Sequence, residues 1–175
     1  MWTVAAKYLD KGPSPAELGY SLSTTLFTPT DVGPSWATLT FRSSWGLFGY
    51  MNVPLPDGLY AILGLASLLA VASAAWQALR RRTTGIVSPA LLLSFFLCSA
   101  VALLLMGWTS YVNDWQPQGR YHFPAILAEA FILLVGWGSL GPTPRWRDAL
   151  LAAAVSGTAA VNVYSFCFVL WPLYR

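Results

Sequence analysis

Four stretches of the chain are almost wholly apolar, and each is close to the length of a membrane-spanning helix. An α-helix rises about 1.5 Å per residue and the hydrocarbon core of a bilayer is about 30 Å thick, so about 20 apolar residues can cross it. The stretches are residues 59–79, 88–108, 123–140 and 149–171. The pattern predicts an all-α polytopic membrane protein with four transmembrane helices in residues 57–175.

Polar and turn-forming residues between these stretches supply signals for helix starts and stops. Ser88 and Pro89 give the second stretch an N-cap followed by a proline in the first turn. Pro124 suits the first turn of the third stretch, which Gly141 and Pro142 then end. We therefore expect short connections between the helices.

Two helices carry small residues at a spacing of four. They are Ala66, Ala70 and Ala74 in the first stretch and Ala149, Ala153 and Gly157 in the fourth. Such stripes allow the backbones of two membrane helices to approach closely. They predict packing surfaces.

Residues 1–56 contain no apolar run long enough to cross a membrane, although aromatic residues recur within them. Trp36, Phe41, Trp45 and Phe48 follow one another at intervals of three to five positions. Two interpretations remain open: an amphipathic helix on the outer membrane surface, or an irregular aromatic loop packed on the ends of the membrane helices.

Basic residues in the short connections predict the orientation. Two clusters, one after the first stretch and one after the third, comprise Arg80, Arg81, Arg82, Arg145 and Arg147. The connection on the opposite side carries Arg120 together with Asp114. By the positive-inside rule the triple-arginine side is cytoplasmic. Both termini are then extracytoplasmic, and the first and third spans run in the same direction.

Composition agrees with a membrane protein and narrows the functions. The chain is 56% hydrophobic and 10% charged, with a mean hydropathy of +0.55, which excludes an ordinary soluble domain. Half of its ten basic residues lie in the two arginine clusters, so the net charge of +3 reports orientation and not a nucleic-acid partner. Cys98 and Cys167 lie inside apolar stretches without neighbouring ligand residues, and we expect neither a metal site nor a cofactor.

The segment 114–126, DWQPQGRYHFPAI, concentrates hydrogen-bonding groups at the predicted outer membrane surface. Arg120 precedes the predicted third helix, whose N-terminus carries a partial positive charge of about +0.5. A guanidinium and a helix N-terminus together attract phosphate. Gln118 adds hydrogen-bonding capacity, and Trp115 and Tyr121 offer flat surfaces for a sugar ring or an isoprenoid chain.

The same segment has a second interpretation. Arg120 can pair with Asp114 or reach lipid phosphate in an interfacial belt without binding a substrate. His122 is either a proton carrier or a plain hydrogen-bonding residue. The residues alone leave these alternatives open.

Glu129 is the one carboxylate within a predicted span, where an unpaired charge is costly. It follows Tyr121 by eight positions and therefore lies on the same face of a continuous helix. We expect Glu129 to line a cavity that opens toward the segment 114–126.

Two motifs carry a family resemblance: SSWGLFGYMNVPLPDGLY at residues 43–60 and QPQGRYHFPAI at residues 116–126. Together they resemble the carboxy-terminal part of a bacterial family of predicted polytopic membrane proteins of unknown function, similar to the GT-C class of glycosyltransferases. The resemblance covers about residues 36–171. In that family the first motif closes a long extracytoplasmic loop and the second opens a later helix.

The resemblance implies a function at the outer face of the bacterial plasma membrane. Such enzymes transfer a sugar from a polyprenyl-phosphate carrier to an acceptor. By this resemblance Gln118, Arg120 and Tyr121 hold the lipid-linked phosphate, and Trp115 or Trp45 stacks on the sugar or the isoprenoid.

The catalytic acidic loop and the amino-terminal helices of that family have no counterpart in this sequence. We therefore expect a fragment of a larger GT-C-like fold that binds the donor without catalysing transfer alone. Its partners would be membrane lipid, the polyprenyl-phosphate sugar and the missing amino-terminal half or another membrane subunit. The alternative is a non-enzymatic membrane module, either a small transporter subunit that uses Glu129 as its ion or proton site, or a helix-packing scaffold.

Overall fold

The computed structural model describes residues 14–30, 34–48, 53–80, 87–113, 121 and 124–173. Its α-helices are α1 (Leu22–Phe27), α2 (Trp36–Gly46), α3 (Asp57–Arg80), α4 (Pro89–Val112), α5 (Ile126–Leu140) and α6 (Pro144–Tyr164). Between α2 and α3 lies a small antiparallel sheet of β1 (Leu47–Phe48) and β2 (Val53–Pro54). The last helix, α6, continues into a π-helix (Ser165–Leu170) and a 3-10 turn (Trp171–Leu173).

Among the described residues, three helices are long and apolar enough to cross a membrane: α3, α4 and the continuous helix Pro144–Leu170. They correspond to the first, second and fourth predicted spans and indicate a helical membrane protein. The third predicted span is shorter than expected, because α5 begins only at Ile126 and has 15 residues. At 1.5 Å per residue it is about 22 Å long, less than the thickness of the hydrocarbon core.

Serine and threonine caps explain where several helices begin. The Ser88 hydroxyl accepts a hydrogen bond of 3.1 Å from the backbone N–H of Leu91, as the Ser88-Pro89 pair predicted. Thr143 caps α6 in the same way through the N–H of Trp146. The residue before α5 is Ala125, which makes no side-chain capping bond.

The direction of α5 differs from the prediction. Gly136 of α5 lies against Ala70 of α3. Ile132, four residues earlier in α5, lies in the buried cluster that contains Ala74 and Ala78, which are later in α3. Earlier residues of α5 therefore lie beside later residues of α3, so the two helices are antiparallel. The prediction that the first and third spans run in the same direction is wrong.

Contacts with α4 agree with this direction. The rings of Phe131 in α5 and Phe95 in α4 lie 4.6 Å apart, and Phe95 is in the first half of α4. The start of α5 thus lies at the end of the bundle where α3 ends and α4 begins. Apolar helices can pack in either direction, so the hydropathy pattern did not contain this information.

The segment before α3 packs against the opposite end of the bundle. The N–H of Ala16 donates to the carbonyl of Tyr111 near the end of α4, and the Tyr111 hydroxyl donates to the carbonyl of Tyr20. Trp36, which is 7% exposed, lies beside Gly107 of α4. The predicted aromatic segment is thus helical from Trp36 to Gly46, with its last aromatic residue, Phe48, in β1, and it buries its first aromatic ring against α4.

Candidate functional site

The second motif is only partly described. Its described residues are Tyr121, Pro124, Ala125 and Ile126, and Tyr121 is 42% exposed. The other residues of the predicted phosphate site lie outside the described residues: Trp115, Gln116, Gln118, Gly119, Arg120 and His122. Their roles stay predictions.

Glu129 lies in the first turn of α5 and is half-buried. α5 begins at Ile126, after 3-10 helix at Pro124 and Ala125, and residues 122–123 lie outside the described residues, so the expectation that Glu129 and Tyr121 share one helix face stays a prediction. A carboxylate in a first helical turn is stabilised by the helix dipole. The start of α5 also lies at the end of the bundle where α3 ends, away from the start of α3.

The first motif folds around the side chain of Tyr60. The Tyr60 hydroxyl donates a 2.8 Å hydrogen bond to the carbonyl of Gly46 and accepts a 3.0 Å bond from the N–H of Leu55. Tyr60 is 5% exposed and Leu55 2% exposed. Gly46 has a φ of 153°, which residues with a side chain rarely adopt. One buried hydroxyl therefore joins the end of α2, the segment after β2 and the first turn of α3.

This arrangement holds Arg42 of α2 beside Asp57, the first residue of α3. A terminal guanidinium nitrogen of Arg42 lies 2.7 Å from a carboxylate oxygen of Asp57. The guanidinium carbon is 5.0 Å from the centre of the Tyr60 ring, a cation–π distance. The Arg42 side chain is 35% exposed and that of Asp57 is 83% exposed. An ion pair this exposed to solvent is weak, so a ligand can compete for the guanidinium.

A cavity of about 590 Å³ lies beside this pair, between the start of α3 and the end of the last helix. We call it the Arg42 cleft. Its charged lining residues are Arg42 and Asp57, and the others are Val53, Pro54, Leu55, Pro56, Tyr164, Phe168, Val169 and Pro172. The rings of Tyr164 and Phe168 stack with centroids 5.6 Å apart.

The far wall of the Arg42 cleft includes part of the π-helix. Phe168 and Val169 belong to Ser165–Leu170. π-helical turns are rare and occur frequently at functional sites. The cleft therefore combines one cation, one carboxylate, stacked aromatic rings and an irregular helix turn.

Arg42 has hydrogen-bonding capacity to spare. A guanidinium carries five N–H donors, and the bond to Asp57 is the one hydrogen bond that Arg42 makes with the described part of the chain. No other charged side chain lines the cleft among the described residues. The arrangement can bind a molecule that joins an anionic group to an apolar chain.

Sequence reasoning did not identify Arg42. It is the one charged residue of α2, WATLTFRSSWG, and it stands immediately before the first motif. That isolated charge among aromatic and small residues was the available signal. Trp45, which the sequence did single out, is half-buried one turn further along α2 and does not line the cleft.

Within the described part of the chain no three His, Cys, Asp or Glu residues form a group that could hold a metal ion, and Cys98 and Cys167 are free and exposed. No protein-family model, no curated protein and no solved structure matches the chain significantly.

Proposed function

We propose that this chain is the membrane portion of a GT-C-like glycosyltransferase and binds a polyprenyl-phosphate-linked sugar at the outer membrane face, in the Arg42 cleft. In this proposal α5 is a fourth membrane-embedded segment beside the three helices of spanning length. The observation that carries the proposal is the Arg42 guanidinium, held between Asp57 and Tyr60 in the wall of an otherwise apolar cavity.

The lining of the cleft suits each part of such a donor. Arg42 would bind the phosphate, because a guanidinium forms strong charge-assisted hydrogen bonds with phosphate oxygens. Tyr164 and Phe168 would contact the first isoprene units, and the Asp57 carboxylate can accept hydrogen bonds from sugar hydroxyls.

The size of the cleft supports a headgroup site. A volume of about 590 Å³ lies within the usual range for small-molecule sites, about 300–1,000 Å³. The cleft is open on one side, so in this proposal it receives the phosphate and the first part of the isoprenoid while the rest of the polyprenyl chain extends into the surrounding lipid.

The distribution of arginines along α3 indicates which face of the membrane the Arg42 cleft lies on. Arg80 ends α3, and Arg81 and Arg82 follow it in the sequence. The cleft lies at the other end of this 24-residue helix, about 36 Å away at 1.5 Å per residue. The second predicted cluster does not share this end, because Arg147 packs against Gly138 and Gly141 at the end of α5, which runs back toward the start of α3. In this proposal the end with three consecutive arginines is cytoplasmic under the positive-inside rule, which favours the outer face for the cleft.

Substitution of Arg42 tests the proposal. In the purified full chain, Arg42→Gln should weaken binding of farnesyl-phosphoryl glucose, a short donor analogue, by at least roughly tenfold through loss of a charge-assisted contact. Arg42→Lys should lose less, because it keeps the charge. Arg145→Gln removes an exposed arginine at the start of α6 and is the matched control.

Binding would be measured by isothermal titration in detergent micelles, with circular dichroism to verify that each variant keeps its helices. Wild-type affinity in Arg42→Gln would overturn the assignment of the phosphate to this cleft.

A further inference from the structure

We infer that Asp57 makes the Arg42 cleft selective for a glycosylated lipid phosphate over the spent lipid phosphate that remains after transfer. The inference rests on the proposed function and concerns the same cleft. Its basis is the second charge of the site: the Asp57 carboxylate lies 2.7 Å from Arg42, lines the same cavity and is 83% exposed.

Donor and product differ in charge. Transfer breaks the bond between the anomeric carbon and a phosphate oxygen and forms a bond between that carbon and an acceptor hydroxyl oxygen. The acceptor proton passes to the phosphate or to water, and the carrier leaves as a phosphate monoester. The donor phosphodiester has one negative charge, whereas a monoester with a second pKa of about 6 has about 1.5 to 2 near neutral pH.

The Arg42–Asp57 pair responds to this difference. Arg42 supplies one positive charge, and Asp57 already uses part of it. The additional charge of a monoester would be attracted by Arg42 and repelled by the adjacent carboxylate. Asp57 therefore offsets the advantage that Arg42 alone would give the more highly charged product, and no other cation lines the cleft in the described part of the chain. Repulsion between like charges at contact distance in largely aqueous surroundings changes affinity by about fivefold.

The sugar is a second reason for the cleft to bind the donor more tightly than the spent carrier. Hydroxyl groups of a glycosyl phosphate can donate hydrogen bonds to the Asp57 carboxylate, which is an acceptor with two oxygens. The spent carrier has no such hydroxyls. Asp57 would thus favour entry of the donor and departure of the product.

A simpler role for Asp57 is to hold Arg42 in place. That role predicts that Asp57→Asn lowers the affinity for every lipid phosphate by the same factor, since only the position of the guanidinium changes. Selectivity predicts instead that Asp57→Asn changes the ratio between the affinity for the glycosylated diester and the affinity for the monoester. The ratio is therefore the quantity to measure.

The experiment uses three synthetic ligands with one farnesyl chain: the phosphate monoester, the methyl phosphodiester and the glucosyl phosphodiester. At pH 7.5 the wild-type chain should bind the glucosyl diester about five- to tenfold more tightly than the monoester. Asp57→Asn should lower this ratio by about fivefold or more, to one or below, because Arg42 alone attracts the doubly charged monoester more strongly. The matched control is Asp148→Asn, another exposed aspartate 3.4 Å from an arginine, which should keep the wild-type ratio.

Two further comparisons distinguish the effect of the phosphate charge on affinity from the effect of the sugar hydroxyls. The methyl diester has one charge and no sugar, so its affinity should lie between those of the other two ligands. At pH 5 the monoester is largely singly charged, so the wild-type preference for the methyl diester over the monoester should disappear.

The outcomes distinguish the inference from the proposed function. If Asp57→Asn lowers all three affinities equally, Asp57 only positions Arg42 and the inference is wrong while the donor site stands. If Arg42→Gln binds all three ligands like the wild type, the donor site itself is wrong. If the circular dichroism of Asp57→Asn shows that its helices are lost, Asp57→Glu and the pH series test the inference instead. Asp57→Glu keeps a carboxylate, so it should keep the wild-type ratio of donor affinity to monoester affinity.

Discussion

Gly136 of α5 lies so close to Ala70 of α3 that a Cβ at position 136 would overlap the carbonyl group of Ala70. Ala70 is completely buried at this crossing. In a membrane, helices associate through such close packing of small residues because the surrounding lipid is as apolar as their side chains. The crossing is therefore a major determinant of how α5 sits on α3.

Gly136→Ala should destabilise the protein by about 1–3 kcal/mol, because the added methyl meets backbone and can be accommodated only if the helices separate. Gly157→Ala is the matched control, since a Cβ at Gly157 of α6 meets nothing within 4 Å. Thermal unfolding in detergent, followed by circular dichroism, measures both. Equal melting temperatures for the two variants would mean that the crossing does not form.

The antiparallel direction of α5 can be tested by thiol crosslinking. In a chain with Cys98 and Cys167 changed to serine, Phe95→Cys together with Phe131→Cys should be joined by a short bifunctional maleimide, because the two rings that these thiols replace lie 4.6 Å apart. The control pair is Phe95→Cys with Leu140→Cys, at the far end of α5. Mobility on a non-reducing gel distinguishes the two. Crosslinking of the control pair alone would reverse the direction of α5.

Tyr60→Phe should cost about 1–3 kcal/mol of stability, because it leaves the Gly46 carbonyl and the Leu55 N–H without their buried partner. The control is Tyr164→Phe, which removes the hydroxyl of an exposed tyrosine. Chemical denaturation in mixed micelles gives the difference. We also expect Tyr60→Phe to weaken donor binding, since the same hydroxyl fixes the segment that carries Arg42 and Asp57. An unchanged denaturation midpoint would contradict this account of the first motif.

Phe168→Ala should reduce the affinity for farnesyl-phosphoryl glucose by about three- to tenfold while leaving that for a short-chain glycosyl phosphate unchanged, because it removes apolar wall and no polar contact. Phe166→Ala removes an equally large exposed ring that does not line the cleft and should have no effect. Titration with both ligands separates loss of the wall from a general defect. Equal losses in the two variants would argue against the cleft as the isoprenoid site.

Arg120 and Glu129 distinguish the cleft from the sites that the sequence predicted. If Arg42 binds the phosphate, Arg120→Ala should leave donor affinity within about twofold of the wild type, whereas the motif resemblance predicts a large loss. Glu129→Gln should leave donor binding unchanged. In vesicles, a transporter would show pH-dependent solute uptake that Glu129→Gln abolishes, and such uptake would favour the non-enzymatic alternative.

The fold was predictable to the extent that it depends on local sequence. Uncharged runs identified helices of spanning length in α3, α4 and Pro144–Leu170, and Ser88-Pro89 identified the start of α4. The small-residue stripe of the first run is partly confirmed, because Ala70 and Ala74 are completely buried. The similar stripe of α6 is exposed at Ala153 and Gly157, since composition alone does not specify a partner.

The candidate site was less predictable because it is assembled from distant parts of the chain. Arg42 lies before the first membrane helix and Asp57 is its first residue, whereas Tyr164 and Phe168 come more than 100 positions later. Periodicity cannot show that the end of the last helix returns to the start of α3. The motif at residues 116–126 attracted attention because its polar groups are contiguous, and contiguity is what a single sequence displays best.

The widened turn at Ser165–Leu170 has a consequence for how related sequences are compared. A π-turn accommodates an extra residue without rotating the helix beyond it, so deleting one residue there would restore ordinary pitch and leave Pro172 facing the same way. Only residues within the turn, Phe168 and Val169 among them, would change the direction in which they face relative to Arg42. A one-residue gap at this place in an aligned homologue would accordingly signal altered ligand preference, even between chains that agree at every contacting position.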